Sequence, residues 1–431
     1  MNKLNILIIT YYWPPSGGSG VQRWMFFAKY LKQFGHNPII LTVDPKYASY
    51  NLTDNSLINQ VKDIEVHKTA SFEILKLYSI FKSGNKTRAI PQSYIPTQSF
   101  FDKIASFIRL NFFIPDSRIG WNYFAFKKAK KLIEENNINF VITTGPPHSS
   151  HLIGKKIYNK FKLKWIVDLR DPWAELFYLK NKFQFNYVKK LNLKFELDVL
   201  NSADAILTTV GNRYKTILRY KLSNTNKIYK IYNGYDKIAY DKIEEIKPDS
   251  YNIVFTGILS KNHNYQLFLE VLSLLKDKYK DLNMIFTFAG KIDKKIKNLF
   301  SEKIQLIDNG YVTHKEAIKI IKSSHLLINF NYLNTEDTDM VSGKLIEYLA
   351  SGSPIINFSN SAQESNIIMQ NSRKSFNADS NDLMKVMGFI KKEYDDWLDG
   401  NYKKEIPKNI ESLSREKLTD NLIDLIKNLV V

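Results

Sequence analysis

The stretch LNILIIT (residues 4–10) is an almost continuous apolar run, which is typical of a strand buried on both faces of a sheet. The following residues, YYWPPSGGSG (11–20), are rich in Pro, Gly and Ser and continue neither a strand nor a helix. Apolar residues then recur at helical spacing over 21–34, and PIILTV (38–43) has the composition of a second strand. This order of strand, loop, helix and strand predicts a parallel sheet covered by helices.

The same alternation continues along the chain. Further strands are predicted at 140–143, 165–167, 205–208 and 228–232, and then at 252–255, 284–289, 304–307, 326–330 and 354–357. Two such series predict an α/β fold made of two doubly wound, Rossmann-like parallel-sheet domains. The polar stretch YDKIAYDKIEEIKPDS marks the join, so we expect an N-terminal domain over 1–240, a C-terminal domain over 241–408 and a helix over 409–431 that packs back towards the N-terminal domain.

The composition excludes several classes of protein. Hydrophobic residues make up 44% of the 431 residues, which is enough to bury sizeable cores and excludes a fibrous or disordered chain. The chain has no cysteine, so disulfides, thiolate metal sites and cysteine nucleophiles are excluded. Because no run of roughly 18 uncharged apolar residues and no cleavable leader pattern occurs, we expect a cytoplasmic protein, soluble or peripheral at the inner face of the cell membrane.

Charge is distributed unevenly along the chain. The net charge is +19, and residues 1–235 hold 35 basic against 15 acidic residues, whereas 236–431 hold 27 against 28. Lysine drift in an AT-rich genome explains a high lysine count but not this asymmetry. A one-sided positive field attracts an anionic partner such as a phospholipid surface, a phosphorylated substrate or nucleic acid. The basic residues are dispersed and no nucleic-acid-binding module is visible, so we expect no nucleic-acid partner.

Residues 71–121 interrupt the alternation with an aromatic and basic segment. Within it, Phe100, Ile104 and Phe107 have the spacing of an amphipathic helix, with basic residues between aromatic ones. Two interpretations stay open. The segment is a helix that caps the first sheet, or it is an in-plane membrane helix or a pocket for a lipid-linked substrate.

A glycine loop lies between the first strand and the first helix. Amide groups near Gly17 and Gly18, with a helix dipole behind them, are suited to hold a phosphate or carboxylate. The loop is not a dinucleotide fingerprint, because Arg23 occupies the third glycine position, and no Gly-Lys-Ser/Thr follows. A plain tight turn is the alternative.

The stretch DMVSGKLIEYLASGSPII (339–356) combines residues that suit a bound anion. Ser342 is a good N-cap, and residues 343–350 have the pattern of a short helix. The amide groups near Gly343 and Lys344, together with the Lys344 ammonium, predict an anion site at the start of this helix.

Two carboxylates are spaced around this predicted anion site. Glu347, one turn into the helix, is placed to accept hydrogen bonds from the vicinal hydroxyls of a ribose whose diphosphate rests on the helix start. Asp339 lies in the preceding loop, on the side of the group beyond the diphosphate. Singly, each residue is ordinary for a solvated helix face, and only the spacing of the set is specific.

This spacing resembles the acidic-x7-acidic signature of glycosyltransferase family 4, which comprises retaining enzymes of the GT-B fold that use nucleotide sugars. Asp339 stands where the family usually has Glu, so the carboxylate is kept with a shorter reach. Other stretches that resemble the family are YYWPPSGGSGVQRW (11–24), TTGPPHSSHLIG (143–154), WIVDLRDPW (165–173), YNGYD (232–236) and NGYVTHKEA (309–317). The resemblance covers nearly the whole chain and implies two domains that face a central cleft.

The resemblance implies roles for individual residues. Its donor-binding residues are Lys261, His263, Tyr311, Val312, Ser342, Gly343, Lys344 and Glu347. Its catalytic residues are Asp339, which positions the sugar, and Asp171 and His148, which with Arg170 orient the acceptor or support the cation. Gly17, Gly18 and Arg170 belong to the acceptor or phosphate loop.

One departure from the family pattern concerns the donor diphosphate. Family members usually place an Arg and a Lys after the first strand of the second domain, but the Arg position is Ile258 here. The second cation is His263 or, with a small shift, Lys261, and Lys344 is expected to supply part of the charge.

We expect no metal and no cofactor other than the nucleotide-sugar co-substrate. Asp337 and Asp339 resemble the metal-binding Asp-x-Asp of a different glycosyltransferase fold, whereas GT-B members use helix dipoles and cations. His148 and His151 are close in sequence, but both lie in a predicted loop and suit acceptor contacts or loop structure better than metal binding.

The implied function is a hexosyltransferase-type reaction. A sugar passes from a nucleoside-diphosphate sugar to an acceptor hydroxyl with retention of configuration, the acceptor being a lipid-linked or cell-surface glycan of a bacterium (capsule, O-antigen or exopolysaccharide), at an anionic membrane surface. Two alternatives stay open: a non-catalytic relative of the fold that binds polyanions or membranes, and a sugar-nucleotide epimerase, for which the sequence shows no acid–base groups.

Overall fold

The computed structural model describes most of the chain. The described residues are 3–50, 52–73, 100–174, 182–209, 212–279, 281–333, 342–359, 363–372 and 374–430. The chain forms two compact units, the first made of Met1–Tyr232 with Thr419–Val431 and the second of Asn233–Leu418.

The first unit is built on a parallel sheet. Its described strands are β1 (Asn5–Ile9), β2 (Asn37–Val43), β3 (Glu65–Thr69), β4 (Phe140–Gly145), β5 (Lys164–Leu169), β6 (Ala205–Thr208) and β7 (Ile228–Lys230). Their order across the sheet is β3-β2-β1-β4-β5-β6-β7. The order reverses between β1 and β4, and such a switch point leaves a crevice at the carboxyl ends of the strands.

Helices alternate with these strands. They are α1 (Ser19–Gln33), α2 (Phe100–Phe112), α3 (Asn122–Asn136), α4 (Ser149–Phe161), α5 (Asn186–Ser202) and α6 (Asn212–Lys221). α1 starts directly after Gly18, whose φ of 90° lies in the region that favours glycine. The central strands are mostly apolar because helices cover the sheet, as the near-complete burial of β1 and β4 shows.

The second unit repeats this design. Its described strands are β8 (Tyr251–Leu259), β9 (Met284–Ile292), β10 (Gln305–Asp308), β11 (Leu326–Phe330), β12 (Ile355–Phe358) and β13 (Ser375–Ala378). They form a parallel sheet in the order β10-β9-β8-β11-β12-β13, with the switch point between β8 and β11.

Helices of the second unit pack on this sheet. They are α7 (Lys237–Lys242), α8 (Gln266–Lys278), α9 (Lys294–Ser301), α10 (His314–Lys322), α11 (Gly343–Ser351), α12 (Gln363–Met369) and α13 (Leu383–Leu398). The last helix, α14 (Arg415–Val430), begins in the second unit and belongs to the first unit from Thr419 onwards. One face of the sheet forms an aromatic core with α8 and α9, in which Phe255, Phe286 and Phe330 lie close to Phe268 and Phe300.

The predicted α/β fold with two parallel sheets is confirmed, and every predicted strand is present with small shifts of its ends. The sequence did not predict β3 (EVHKT) or β13 (SFNA). Both lie at an outer end of the strand order and expose more of their surface than the central strands. An edge strand therefore lacks the apolar run that identifies a buried one.

A buried ion pair connects three parts of the first unit. Asp168 on β5 accepts hydrogen bonds from Arg23 (2.8 Å) and from the indole of Trp24 (2.6 Å), and both side chains of the ion pair are fully buried. The Arg23 guanidinium also donates to the carbonyls of Ile231 and Tyr232 at 2.9 and 2.8 Å. α1 is thereby fixed to the sheet and to the last residues of the unit's first segment.

This network predicts a large loss of stability in Asp168→Asn. The substitution leaves the Arg23 charge buried without its counter-charge, so the free energy of unfolding should fall by about 3 kcal/mol or more. Urea unfolding of the purified protein measures it. The control Glu134→Gln removes an exposed carboxylate on α3 and should change the value by less than about 0.5 kcal/mol. Equal stability of the two variants would contradict the assigned role.

Candidate functional site

The sheet of the second unit opens at its switch point. β8 and β11 pair only at their first residues, where Leu326 faces Ile253 and Leu327 faces Val254. β8 continues to Leu259 and stays paired with β9 over its whole length. The carboxyl halves of β8 and β11 are therefore separate, which leaves unpaired backbone groups and a crevice between them.

Two side chains of α11 fill the base of this crevice. The Tyr348 hydroxyl accepts a hydrogen bond of 2.8 Å from the backbone N–H of Thr256, a group that β11 leaves unpaired. Lys344, one turn earlier, places its Nζ 4.1 Å from the centre of the Phe255 ring. A Cβ at Gly257, where φ is 118°, would lie 3.0 Å from this Nζ. A glycine at this position therefore makes room for the lysine to reach the strand.

The Lys344 ammonium has an unusual environment. Burial lowers its pKa to about 7. Within the described part of the chain it makes no hydrogen bond and no ion pair, and its contact is with the face of an aromatic ring. An anion placed in the crevice would stabilise the charged form of this lysine and raise its pKa.

The loops that follow β8 and β11 contact each other beside Lys344. The amide of Asn264 donates to the carbonyl of Asn331 at 2.9 Å, and the ring of His263 lies 4.2 Å from that of Tyr332. The Ser260 amide donates to His263 Nδ1 at 3.1 Å, so Nδ1 is an acceptor and Nε2 carries the proton. Burial, assisted by the nearby Lys344 charge, lowers the pKa of His263 to about 4. At neutral pH His263 is therefore a neutral donor and not the cation expected from the sequence.

Ser342 is the N-cap residue of α11, as the sequence predicts. Its side chain makes no capping hydrogen bond, and its hydroxyl donates instead to Asn329 Oδ1 at 3.2 Å. A buried amide on β11 therefore takes the hydroxyl that the sequence suited to capping. The amide groups of the first turn of α11 are left without a side-chain cap.

Asn329 belongs to a ladder of asparagine side chains across three strands. Its Nδ2 donates to Oδ1 of Asn357 on β12 at 2.5 Å, and Asn357 donates to Asn377 on β13 at 2.5 Å. Asn377 in turn donates to Asn366 on α12. The three strand residues are register partners, and Asn329 and Asn357 are fully buried. The direction of each hydrogen bond fixes the next, so the sheet sets the orientation of Ser342.

Glu347 is held by a histidine and an arginine. Its Oε1 lies 3.0 Å from His314 Nε2 and 3.2 Å from Arg415 Nη2, and its backbone carbonyl accepts 2.7 Å from the Tyr240 hydroxyl. Burial alone would raise the pKa of Glu347, but the His314 hydrogen bond and the Arg415 charge lower it below its usual value. The carboxylate is therefore ionised and pre-oriented at neutral pH.

The sequence did not identify His314 or Arg415. His314 is the first residue of α10 and lies within NGYVTHKEA, so its place in a recognised stretch was an available signal. Arg415 begins α14, 68 positions from Glu347, and no local pattern connects the two.

The other residues of the second unit that the sequence assigns to donor binding lie at the carboxyl edge of the same sheet. Tyr311 and Val312 lie in the turn between β10 and α10, with Tyr311 49% exposed, and Lys261 is exposed after β8. Ile258 is 53% exposed and is the register partner of Lys291 on β9. Register partners in a parallel sheet point to the same face, so a cation stands beside the position where the family pattern has arginine. Asp337 and Asp339 lie outside the described residues.

The loops of the first unit are connected by Arg170. Its guanidinium donates to the carbonyls of Gly145 (3.2 Å), Pro146 (2.5 Å) and Gly20, so it ties the loop after β4 to the start of α1. Gly17 lies in the same loop as Gly18 and donates its amide to the Leu52 carbonyl at 2.9 Å. Arg170 thus positions backbone through three carbonyls, and its role in the acceptor or phosphate loop stays a prediction.

His148 and Asp171 lie at the carboxyl edge of the first sheet. His148 is buried, stacks on Trp173 at 4.9 Å and donates from Nε2 to the Pro172 carbonyl at 3.2 Å. Burial lowers the pKa of His148 well below its usual value and that of His151 to about 3, so both rings are neutral. Burial raises the pKa of Asp171, an effect that the neighbouring Arg170 opposes.

Two further observations concern the described residues alone. They contain no cluster of three or more His, Asp or Glu side chains that could hold a metal ion. They also contain no helix with the length and apolar character needed to cross a bilayer.

Comparisons with known proteins show which class of protein this chain resembles. Residues 250–387, which contain the β8–β11 crevice, match the family model described as "Glycosyl transferases group 1". Among solved structures, sucrose-phosphate synthase from Thermosynechococcus elongatus is similar with 13% identity, covering 99% of both chains at a TM-score of 0.60. No curated protein matches the chain in sequence.

Two other solved structures have the same fold. The Anabaena protein HepE, in complex with UDP and glucose, is 10% identical over 99% of this chain and 100% of its own at a TM-score of 0.61. A glycosyltransferase from Rickettsia africae is 15% identical over 100% of this chain and 99% of its own at a TM-score of 0.57. The fold is therefore the GT-B fold, and residues 250–387 are similar to a family of glycosyltransferases.

The asparagine ladder predicts a graded response to substitution. Asn329→Leu leaves Asn357 and Ser342 without their buried partner, so the free energy of unfolding should fall by about 1–3 kcal/mol. Asn366→Ala removes only the exposed end of the ladder and should change it by less than about 0.5 kcal/mol. Urea unfolding compares the two variants, and equal losses would contradict a ladder that is anchored at β11.

Proposed function

We propose that the chain transfers a sugar from a nucleoside-diphosphate sugar to an acceptor hydroxyl with retention of configuration. The observation that carries the proposal is the arrangement on α11, where uncapped amides, a buried lysine and an ionised carboxylate follow one another within one turn. The amides and the lysine are suited to bind a diphosphate, and the carboxylate is suited to accept hydrogen bonds from the vicinal hydroxyls of a ribose.

The donor would lie along the carboxyl edge of the second sheet. Its diphosphate would rest on the amides of Gly343 and Lys344 and on the Lys344 ammonium, with Glu347 accepting from the ribose hydroxyls. The nucleobase would lie against Tyr311 and Val312. The solved structure of HepE, which has a similar fold and is in complex with UDP and glucose, supports a nucleotide-sugar donor.

Several groups would add positive charge or hydrogen bonds at the diphosphate. Neutral His263 would donate from Nε2, and Lys261 would act from the exposed loop. Lys291 would take the place of the arginine that is absent at Ile258, because the two residues are register partners on one face of the sheet.

The reaction requires stabilisation of a leaving diphosphate. The bond between the anomeric carbon and the phosphate oxygen breaks, and the diphosphate leaves with the electron pair. The acceptor oxygen bonds to the anomeric carbon on the same face, and its proton passes to the departing phosphate. Fixed cations and helix amides act where this charge develops. In this proposal Asp339 positions the sugar, while Asp171 and His148 orient the acceptor from loops that Arg170 holds.

The acceptor would be a lipid-linked or cell-surface glycan, reached from an anionic membrane surface. The positive charge of residues 1–235 supports an anionic acceptor side, and neither a metal nor a further cofactor enters the proposed mechanism.

The donor assignment predicts which ligand stabilises the protein. UDP, GDP, ADP and CMP are tested by thermal unfolding on the wild type and on Glu347→Gln. At about 100 times its dissociation constant, the matching nucleotide should add about 2.7 kcal/mol to the wild type. Glu347→Gln should lose most of this gain, whereas the exposed control Glu302→Gln should keep it. Stabilisation of Glu347→Gln equal to that of the wild type would contradict the ribose role of Glu347.

The Lys344 pKa of about 7 predicts how donor affinity depends on pH. The charged lysine, which predominates below pH 7, attracts the diphosphate, so affinity should fall roughly tenfold or more between pH 6.5 and 8.5. Titration calorimetry with UDP-glucose measures this, since its diphosphate does not titrate in that range. Lys344→Arg should bind with a flat pH profile and Lys344→Met should bind weakly throughout. A wild-type profile as flat as that of Lys344→Arg would contradict the account.

A further inference from the structure

Helix α2 of the first unit buries polar residues and exposes apolar ones. Ser106 and Asn111 are buried, whereas four apolar side chains of the helix are exposed: Ile104, Phe107, Ile108 and Phe112. These four follow the three- and four-residue spacing of one helix face. An ordinary helix that caps a sheet has the opposite arrangement, with its apolar face on the core.

A second segment adds two phenylalanines to this exposed face. Buried Asn111 accepts from the amide of Phe185 at 2.8 Å and donates to the carbonyl of Phe183 at 3.4 Å. Gln184, between them, donates to the Leu110 carbonyl at 3.2 Å. These backbone contacts fix residues 183–185 against α2. Asn111 is buried because it makes the hydrogen bonds that connect α2 to Phe183 and Phe185.

The aromatic rings of the two segments touch one another. Phe107 lies 6.0 Å from Phe183, 5.6 Å from Phe185 and 6.4 Å from Phe112, measured between ring centres. Phe112 and Phe183 are nevertheless 67% and 65% exposed. We call Ile104, Phe107, Ile108, Phe112, Phe183 and Phe185 the phenylalanine face. A contiguous exposed apolar patch of this kind marks an interaction surface.

Lysines border the phenylalanine face. Residues 182–194 contain Lys182, Lys189, Lys190 and Lys194 and no acidic residue. Lys189 and the exposed Leu193 follow Phe185 at four-residue intervals, so they lie on the same side of α5 as the phenylalanines. Lys103 precedes Phe107 by one turn on α2 and is exposed. The chemistry of the surface is therefore an aromatic centre with a cationic border.

We propose that the phenylalanine face docks on an anionic lipid bilayer. The rings would enter the boundary between headgroups and acyl chains, while the lysines bind the anionic headgroups. A second copy of the chain fits less well, because a two-fold contact through this face would bring the lysine borders of both copies together. The proposal deepens the acceptor side of the proposed function, and it is tested without donor or acceptor.

The absence of cysteine allows a direct test. Phe112→Cys and, as a control, Tyr220→Cys on α6, which is 88% exposed in the native chain, each carry one environment-sensitive dye. Both are mixed with vesicles of phosphatidylcholine alone or with 30% phosphatidylglycerol, and binding is measured by flotation at low and high salt. We expect both proteins to float with the anionic vesicles, less at high salt, and only the dye at position 112 to shift to the blue.

A double variant measures the contribution of the rings. Phe112→Ser with Phe183→Ser should weaken binding to anionic vesicles about tenfold or more, while Tyr123→Ser, an exposed aromatic on α3, should leave it unchanged. The urea unfolding midpoint of the double variant should stay close to that of the wild type, which shows that the protein is folded. Three results would overturn the proposal. The first is no flotation at low salt, and the second is flotation with an unshifted dye at position 112. The third is a wild type that forms a dimer and does not bind vesicles, with a double variant that has lost the dimer.

Discussion

The separation of β8 from β11 is the constraint on which the candidate site depends. A doubly wound sheet must reverse its strand order once, and at that point neighbouring strands are free to diverge. Here the unpaired amide of Thr256 is satisfied by Tyr348, which anchors α11 over the opening. The anchored helix brings Lys344 down to Gly257 and leaves its own first amides uncapped. The same local event thus produces a fixed helix, a buried cation and a helix start that Ser342 does not cap with its side chain.

Two polar networks maintain this geometry from opposite sides. The asparagine ladder fixes Ser342 at the start of α11 from within the sheet. His314 and Arg415 hold Glu347 one turn further along the helix. Burying amides and charges costs free energy unless every group is paired, so each group of these networks is held in the orientation that satisfies its partner. A site that must stabilise developing charge gains from such fixed dipoles, since nothing has to reorganise during the reaction. In the first unit the Arg23–Asp168 pair and Arg170 fix loops in the same way.

The sequence was informative where chemistry and local pattern coincide. Central strands such as β1 and β11 are continuous apolar runs, and the 339–356 stretch has the spacing of a helix that follows an anion site. Long-range partners left no such trace: Arg415 reaches Glu347 only through folding, and Ser342 looks like a side-chain cap until Asn329 is placed beside it. The charge state of a buried residue likewise left no trace in the local sequence. The sequence offered His263 or Lys261 as the second cation, and only burial beside Lys344 shows why His263 is neutral.

The most direct test of the account is a crystal structure of the complex with UDP-glucose. We expect diphosphate oxygens within about 3 Å of the Gly343 and Lys344 amides and of Lys344 Nζ, with the ribose hydroxyls on Glu347. His314 and Arg415 should still contact the Glu347 carboxylate. A nucleotide bound away from the β8–β11 crevice, or a diphosphate held there without contact to α11, would contradict the account.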